Sequence, residues 1–217
     1  MAKLIRNWLL LVAVIHLQSC TKQEVIDTGV SSARFEGTVM DYLRSDDYNW
    51  KLTCELIEHA GLEALFAGKE VQYPEITFFG FTSQSVQRFL LESQYKDTSA
   101  GVFRQVSDLP VELARELVLR HVVAGRYLKV DFGFLDPAQP LNSPLQGGGK
   151  VMTTLAGNSI RAFCESSSYG SENTGGPVHM RLYSITARRR IPVASPDIQP
   201  DNGVVHALNY GYEFPVI

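Results

Sequence analysis

The hydrophobic pattern changes about halfway along the chain, from helical spacing to short strand-like runs. Residues 49–60 repeat apolar side chains at helical intervals, and Gly61-Leu62 after them predicts a Schellman end. Leu113, Leu117 and His121 recur every four residues. Short helices are also predicted from Leu62 to Phe66 and after Thr82 or Ser83, with a strand between them at Ile76–Phe79. Five β-prone runs follow, separated by turn residues: Arg126–Val130, Val151–Leu155, Ser159–Phe163, Val178–Ile185 and Val204–Leu208. The pattern therefore predicts a helical half followed by a strand-rich half.

Two segments are predicted to be surface loops or insertions. Residues 136–150 hold three prolines and the run Gly147–Gly149, and residues 165–177 are rich in Ser, Gly and Asn. Such compositions are typical of loops, so we expect proteases to cut there first.

Composition excludes several classes of protein. The 217 residues are 45% apolar and 20% charged, which is ordinary for a packed globular protein. A net charge of −3 without a long basic stretch argues against a nucleic-acid partner. Three cysteines are too few for a disulfide-built mini-domain.

The N-terminus has the pattern of a secretory signal. Lys3 and Arg6 precede the apolar run 8–15, which is too short to span a membrane. The following Leu17-Gln18-Ser19-Cys20 resembles the bacterial lipobox, which implies cleavage before Cys20 and lipid attachment to it. We therefore expect a signal peptide over 1–19, a lipidated Cys20 and tether over 20–36, and a domain over 37–217. This places the chain in a bacterial cell envelope, lipid-anchored on a periplasmic or surface face; the alternative is a plain signal peptide with a chance cysteine.

Five strings along the chain resemble the fasciclin (FAS1) family and lie in that family's order. They are Leu56–Leu62, like a helix ending in "AGL"; Ile76–Thr82, like "TVFAPT"; Leu117–Gly125, like "LLxYHVVPG"; Val151–Gly157, like "VxTLxG"; and Asp197–Leu208, like "DIxxxNGVVHVID". The last string is the most specific. Phe81 and Ala124 replace prolines of the family pattern, and Arg120 replaces its tyrosine.

This resemblance implies an α+β fold, a wedge of two β-sheets with several helices packed along one side. It also implies an extracytoplasmic module for adhesion or ligand contact, usually without catalysis. We expect no cofactor and no metal.

The resemblance also selects candidate motif residues: His121, Asp197, Asn202, Gly203 and His206. His121 has two interpretations, an adhesion contact or a buried histidine bonded to backbone, and its apolar face favours burial. Asn202-Gly203 predicts a tight turn with positive φ that opens a strand. His206 is expected to face the core rather than bind a metal, because no second ligand lies two or four residues away.

Two cysteines and one basic cluster leave alternatives open. Cys54 and Cys164 can pair in an oxidising compartment, or each can be a buried free thiol, which we favour. Arg188–Arg190 can contact acidic glycans or lipid headgroups, or can lie on a solvated loop or strand end, which we favour.

The sequence offers no recognisable catalytic string, having no G-x-S-x-G, H-E-x-x-H, C-x-x-C or P-loop pattern. Three functions remain: an adhesion or interaction module, a glycan-binding accessory lipoprotein of a sugar-uptake system, and an enzyme with an unrecognised site. For glycan binding, Tyr169, Tyr210 and Tyr212 are candidates for stacking on sugars. We favour a non-catalytic module whose partners are a membrane, through the lipid on Cys20, and a protein or glycan.

Overall fold

The computed structural model describes residues 33–95, 101–166 and 176–217. Ala33–Ile217 forms one compact unit. Its helices are α1 Val39–Arg44, α2 Asp47–His59, α3 Glu63–Phe66, α4 Ser83–Tyr95 and α5 Val111–Leu119. Two short 3₁₀ turns lie at Val106–Asp108 and Lys129–Asp131. The predicted signal peptide, Cys20 and most of the tether fall outside the described residues.

Local sequence signals set the helix ends. Thr38 caps α1 in a reciprocal capping box, accepting from Asp41 N while the Asp41 carboxylate accepts from Thr38 N. Gly61, at φ 66°, ends α2, and Leu62 N donates to Ile57 O at 3.0 Å. This is the predicted Schellman end, in which glycine takes the left-handed position without a Cβ clash.

Seven strands form a sheet in the order β2-β1-β7-β6-β5-β4-β3. Their bounds are β1 Ile76–Gly80, β2 Val122–Ala124, β3 Lys150–Thr153, β4 Ser159–Ser166, β5 Val178–Ser184, β6 Arg189–Ile198 and β7 Gly203–Leu208. Only the β1–β7 pair among these is parallel. The start of β6 pairs with β5 and its remainder pairs with β7, so this one strand joins the two predicted sheets. The α+β class is confirmed.

The core covers both faces of β1, whose five residues are all buried. Phe78 contacts Phe66 of α3 edge-on, with centroids 5.0 Å apart. Phe79 faces the other way and stacks on His206 at 5.5 Å. A strand buried on both faces needs apolar side chains in succession, which explains the unbroken Ile-Thr-Phe-Phe run.

Two strand predictions were wrong for identifiable reasons. Arg126–Val130 is not a strand; β2 ends at Ala124, and Gly125 turns the chain at φ 92°. Thr77 Oγ1 fixes this turn by donating to Gly125 O at 2.7 Å and accepting from Tyr127 N at 2.9 Å. Strand β6 was not predicted, because Pro192 and Pro196 lie within it. The ladder shifts register on both sides of Ser195, and such bulges accommodate proline.

The two predicted loops differ in outcome. Residues 136–149 contain only turns and bends, as expected. The second loop begins later than predicted, since Glu165 and Ser166 pair with His179 and Val178. Residues 167–175 fall outside the described part of the chain.

Candidate functional site

His121 is fully buried directly after α5. Its Nδ1 lies 2.8 Å from Leu117 O, and its Nε2 lies 2.8 Å from the Tyr212 hydroxyl. The carbonyl can only accept, so Nδ1 carries the proton and Nε2 accepts from the hydroxyl. Burial lowers the pKa of His121 to about 3, which keeps the ring neutral. A side chain with 0% exposure cannot touch a partner, so this histidine ties helix α5 to the C-terminal segment.

The C-terminal segment completes that arrangement. Ile217 N donates to the Tyr212 hydroxyl at 3.2 Å, and Phe214 stacks on His121 at 5.3 Å. Tyr212 is 3% exposed, so it cannot stack on a sugar as the sequence suggested. Tyr210 is half exposed and donates to Asn49 Oδ1 at 2.6 Å. Tyr169 lies outside the described residues.

His206 is the second buried histidine. Its Nδ1 accepts from Asp197 N at 3.2 Å, and its Nε2 donates to Tyr127 O at 3.0 Å. Burial lowers the pKa of His206. Asp197 Oδ1 in turn accepts from Lys129 N at 2.6 Å. These bonds join β6 and β7 to the segment 127–129 and use both ring nitrogens, which leaves none for a metal.

The positive φ predicted at Asn202 or Gly203 is wrong. The left-handed residue in this motif is Asp197, at φ 64°. Gly203 is needed for space instead, because a Cβ there would lie 2.2 Å from Ile76 O on the neighbouring strand. Asn202 supports the same junction, accepting from Val39 N at 2.7 Å and donating to Phe66 O at 3.1 Å.

The two described cysteines are free and buried. Cys54 lies in α2 and Cys164 in β4. Burial raises the pKa of the Cys54 thiol to about 11 and also raises that of Cys164. Neither has the lowered pKa and exposure of a reactive cysteine.

No set of three or more His, Cys, Asp or Glu side chains of the described residues is arranged to hold a metal ion.

None of the helices in the described ranges combines the length and apolarity needed to cross a bilayer.

Arg188 lies in the turn before β6, and Arg189 and Arg190 begin that strand, which agrees with the predicted loop or strand end. Arg189 pairs with Glu213 at 2.6 Å. Arg190 pairs with Glu165 at 3.2 Å, and Arg181 shares that carboxylate at 2.6 Å. Arg188 has no partner within the described ranges.

The outer sheet face is the face of β3–β6 opposite to the one that buries Ile160, Ala162 and Leu182 in the core. One cross-strand row on it comprises Val151, Arg161, Tyr183 and Arg190, which are successive register partners. Opposed residues in a sheet share a face, so these side chains are neighbours. Ile160, Ala162, Met180 and Leu182 alternate with this row and belong to the hydrophobic core.

A pocket of about 340 Å³ opens on the outer sheet face, between the strands and the loop 136–149. We call it the arginine pocket; it is lined by Leu141, Asn142, Ser143, Pro144, Arg161, Tyr183, Ile185 and Arg188. The lining contains two cations and no acid. Sequence reasoning missed Arg161, Tyr183 and Asn142, because only strand pairing brings them together.

The loop wall of the arginine pocket is built around the buried side chain of Gln146. Its Oε1 accepts from Asp136 N and from Gly148 N, each at 2.8 Å. Its Nε2 donates to Asp136 O at 3.0 Å and to Gln139 O at 2.8 Å. All four hydrogen-bonding positions of the amide are used, so the loop has a defined shape without helix or strand.

Sequence comparisons give no match, either to a protein-family model or to a curated protein. Among solved structures, the chain is similar to a FAS1 domain pair from the insect cell adhesion molecule fasciclin I. The match has a TM-score of 0.52 and 16% identity, and it covers 83% of this chain and 51% of that chain. The chain thus spans about half the length of the domain pair. The chain has a fasciclin-like (FAS1) fold.

Proposed function

We propose that the chain is a non-catalytic, extracytoplasmic adhesion or interaction module, anchored to a bacterial envelope membrane through lipid on Cys20. The observation that carries this proposal is the fold shared with a domain pair of a cell adhesion molecule. The lipobox-like Leu17–Cys20 string supports the anchor.

The chemistry of the described residues supports binding rather than turnover. The two motif histidines are neutral, buried and fully hydrogen-bonded, and the two thiols are buried with raised pKa values. General acid–base and nucleophilic catalysis need such groups in contact with a substrate.

Fatty-acid labelling tests the anchor, and a cell adhesion assay with the same variants tests adhesion. The full chain, expressed in a bacterium fed radiolabelled fatty acid, should take up label, and Cys20→Ala should abolish the uptake. Cells carrying the wild-type chain should aggregate or bind a surface, and cells carrying Cys20→Ala should not. Cys54→Ala is the matched control and should keep both properties. Label retained by Cys20→Ala would refute the anchor, and equal adhesion of the two strains would refute surface anchoring as its basis.

Substrate panels test the absence of catalysis. We expect no turnover of glycans, esters or peptides by the purified chain. Turnover abolished by one point substitution in the chain would overturn this part of the proposal.

A second function, a glycan-binding accessory lipoprotein of a sugar-uptake system, is favoured by the arginine pocket. Its tyrosine, amide and arginine side chains offer hydrogen-bonding groups beside apolar neighbours, the combination with which proteins contact small polar ligands.

A further inference from the structure

We infer that the arginine pocket binds a sugar that carries a carboxylate group. This inference rests on the proposed function, since it gives the interaction module a ligand class and a location on the outer sheet face.

Charge is the first support. Arg161 is only 9% exposed, and its guanidinium donates one hydrogen bond, to Gly148 O. No Asp or Glu of the described residues forms an ion pair with it. A nearly buried guanidinium without a counter-ion is costly, and a bound anion supplies the missing charge.

Arg188 adds a second cation at the rim. It lies in the turn that joins β5 to β6, at φ 55°. Arg181 and Arg190 share the carboxylate of Glu165, whereas Arg161 and Arg188 pair with no carboxylate of the described residues.

The rest of the lining suits a sugar ring better than a bare anion. Tyr183 is 7% exposed and lines the pocket beside the apolar residues Leu141, Pro144 and Ile185. A sugar has an apolar C–H face that can contact these apolar neighbours and hydroxyls at its edge. The Tyr183 hydroxyl and the Asn142 amide make no hydrogen bond within the described ranges and are available to those hydroxyls. Inorganic phosphate would contact the arginines but not the apolar residues of the lining.

Size and shape agree with a single sugar-sized group. The volume of about 340 Å³ is at the lower end of the roughly 300–1,000 Å³ typical of small-molecule sites. The loop wall is fixed by Gln146, and Arg161 bonds to that same loop through Gly148 O. A site formed in advance loses little entropy on binding.

Calorimetric titration of the full chain in detergent tests this inference with four probes: glucuronate, glucose, acetate and inorganic phosphate. We expect glucuronate to bind tightest, with affinity at least about tenfold above each of the others. If glucose bound with the same affinity as glucuronate, recognition of the carboxylate would be refuted. If phosphate or acetate bound with the same affinity as glucuronate, recognition of the sugar would be refuted.

Three variants locate the site. Arg161→Lys should weaken glucuronate binding about tenfold or more, because it loses a buried charged fork. Arg188→Gln should weaken it roughly two- to fivefold, as expected for an exposed charge. Tyr183→Phe should weaken glucuronate binding, because the variant lacks the hydroxyl that would bond to the sugar. The matched control is Arg189→Gln, an exposed arginine of the same run that pairs with Glu213, and it should bind as wild type. Glucuronate binding unaffected by Arg188→Gln and Arg161→Lys would overturn the location, and Arg188→Gln keeps the test valid if Arg161→Lys fails to fold.

The two proposals fail separately. If cells adhere but glucuronate does not bind, the ligand class is wrong and the adhesion module stands. If glucuronate binds but Cys20-anchored cells show no adhesion, the ligand class stands and adhesion is wrong.

Discussion

Replacing Gly203 tests a close backbone approach between β7 and β1. A Cβ at this position would lie 2.2 Å from Ile76 O and 3.2 Å from Val39 Cγ2. Ordinary contact needs 3.4 Å or more, so Gly203→Ala forces β7 and β1 apart by about 1 Å. The separation strains the bond from Ile76 N to Asn202 O, which is 3.1 Å long.

The expected cost of Gly203→Ala follows from those contacts. Overpacking costs about 1–3 kcal/mol, and a weakened buried hydrogen bond adds about 0.5–1.5 kcal/mol. A domain of this size loses about 2–4 °C of melting temperature per kcal/mol, so we expect a decrease of about 3–18 °C by calorimetry.

A second substitution separates the steric reason from a conformational one. Asparagine tolerates left-handed φ, so Gly203→Asn would destabilise the chain less than Gly203→Ala does if a positive φ were the requirement. Because space is the requirement, Gly203→Asn should be at least as destabilising. Gly133→Ala is the matched control, since nothing lies within 4 Å of its added Cβ, and it should change stability by less than about 0.5 kcal/mol. Gly203→Ala melting within 1 °C of wild type would refute the reasoning.

Three further predictions concern buried polar groups. Burial lowers the pKa of His121 to about 3, so between pH 6.5 and 3 the unfolded chain binds a proton at this residue and the folded chain does not. The free energy of unfolding should therefore fall as the pH drops from 6.5 toward 3, by up to about 1.4 kcal/mol per pH unit. Urea unfolding at several pH values should show a weaker pH dependence of that free energy for His121→Gln, and an equal dependence would contradict the assignment. Gln146→Ala removes four hydrogen bonds from the loop 136–149 and should cost about 2–4 kcal/mol, with faster proteolysis inside that loop; unchanged cleavage would show that the amide does not order it. Thr82 Oγ1 is buried and makes no hydrogen bond within the described residues, so the isosteric Thr82→Val should raise stability by about 1 kcal/mol in the same assay, and a loss would indicate a partner for the hydroxyl.

Local features of the chain were predicted well from sequence because their causes lie within a few residues. The Schellman end at Gly61 needs only a glycine and an apolar residue after it. The strand at Ile76–Phe79 follows from its own β-branched and aromatic residues. Local signals also misled where the sheet overrode them, since the prolines of β6 argue against a strand and are accommodated by bulges.

The candidate site could not be predicted because it depends on register. Arg161 and Tyr183 are 22 positions apart and become neighbours through the β4–β5 pairing. Nothing in the sequence indicates that Arg188 lacks an acidic partner among the described residues while Arg189 and Arg190 each have one. Gln146 looks like any polar loop residue, and only its burial shows that it organises the loop.

The sequence by itself determined the order of most helices and strands, the family resemblance and the expectation that His121 and His206 are buried. These follow from periodicity and from short strings whose physical causes are local. The tertiary structure decided why Gly203 must be glycine, because the steric conflict is with Ile76 on another strand. It also decided which arginines have an acidic partner. An ion pair depends on the distance between two opposite charges, and the order of residues along the chain does not specify that distance.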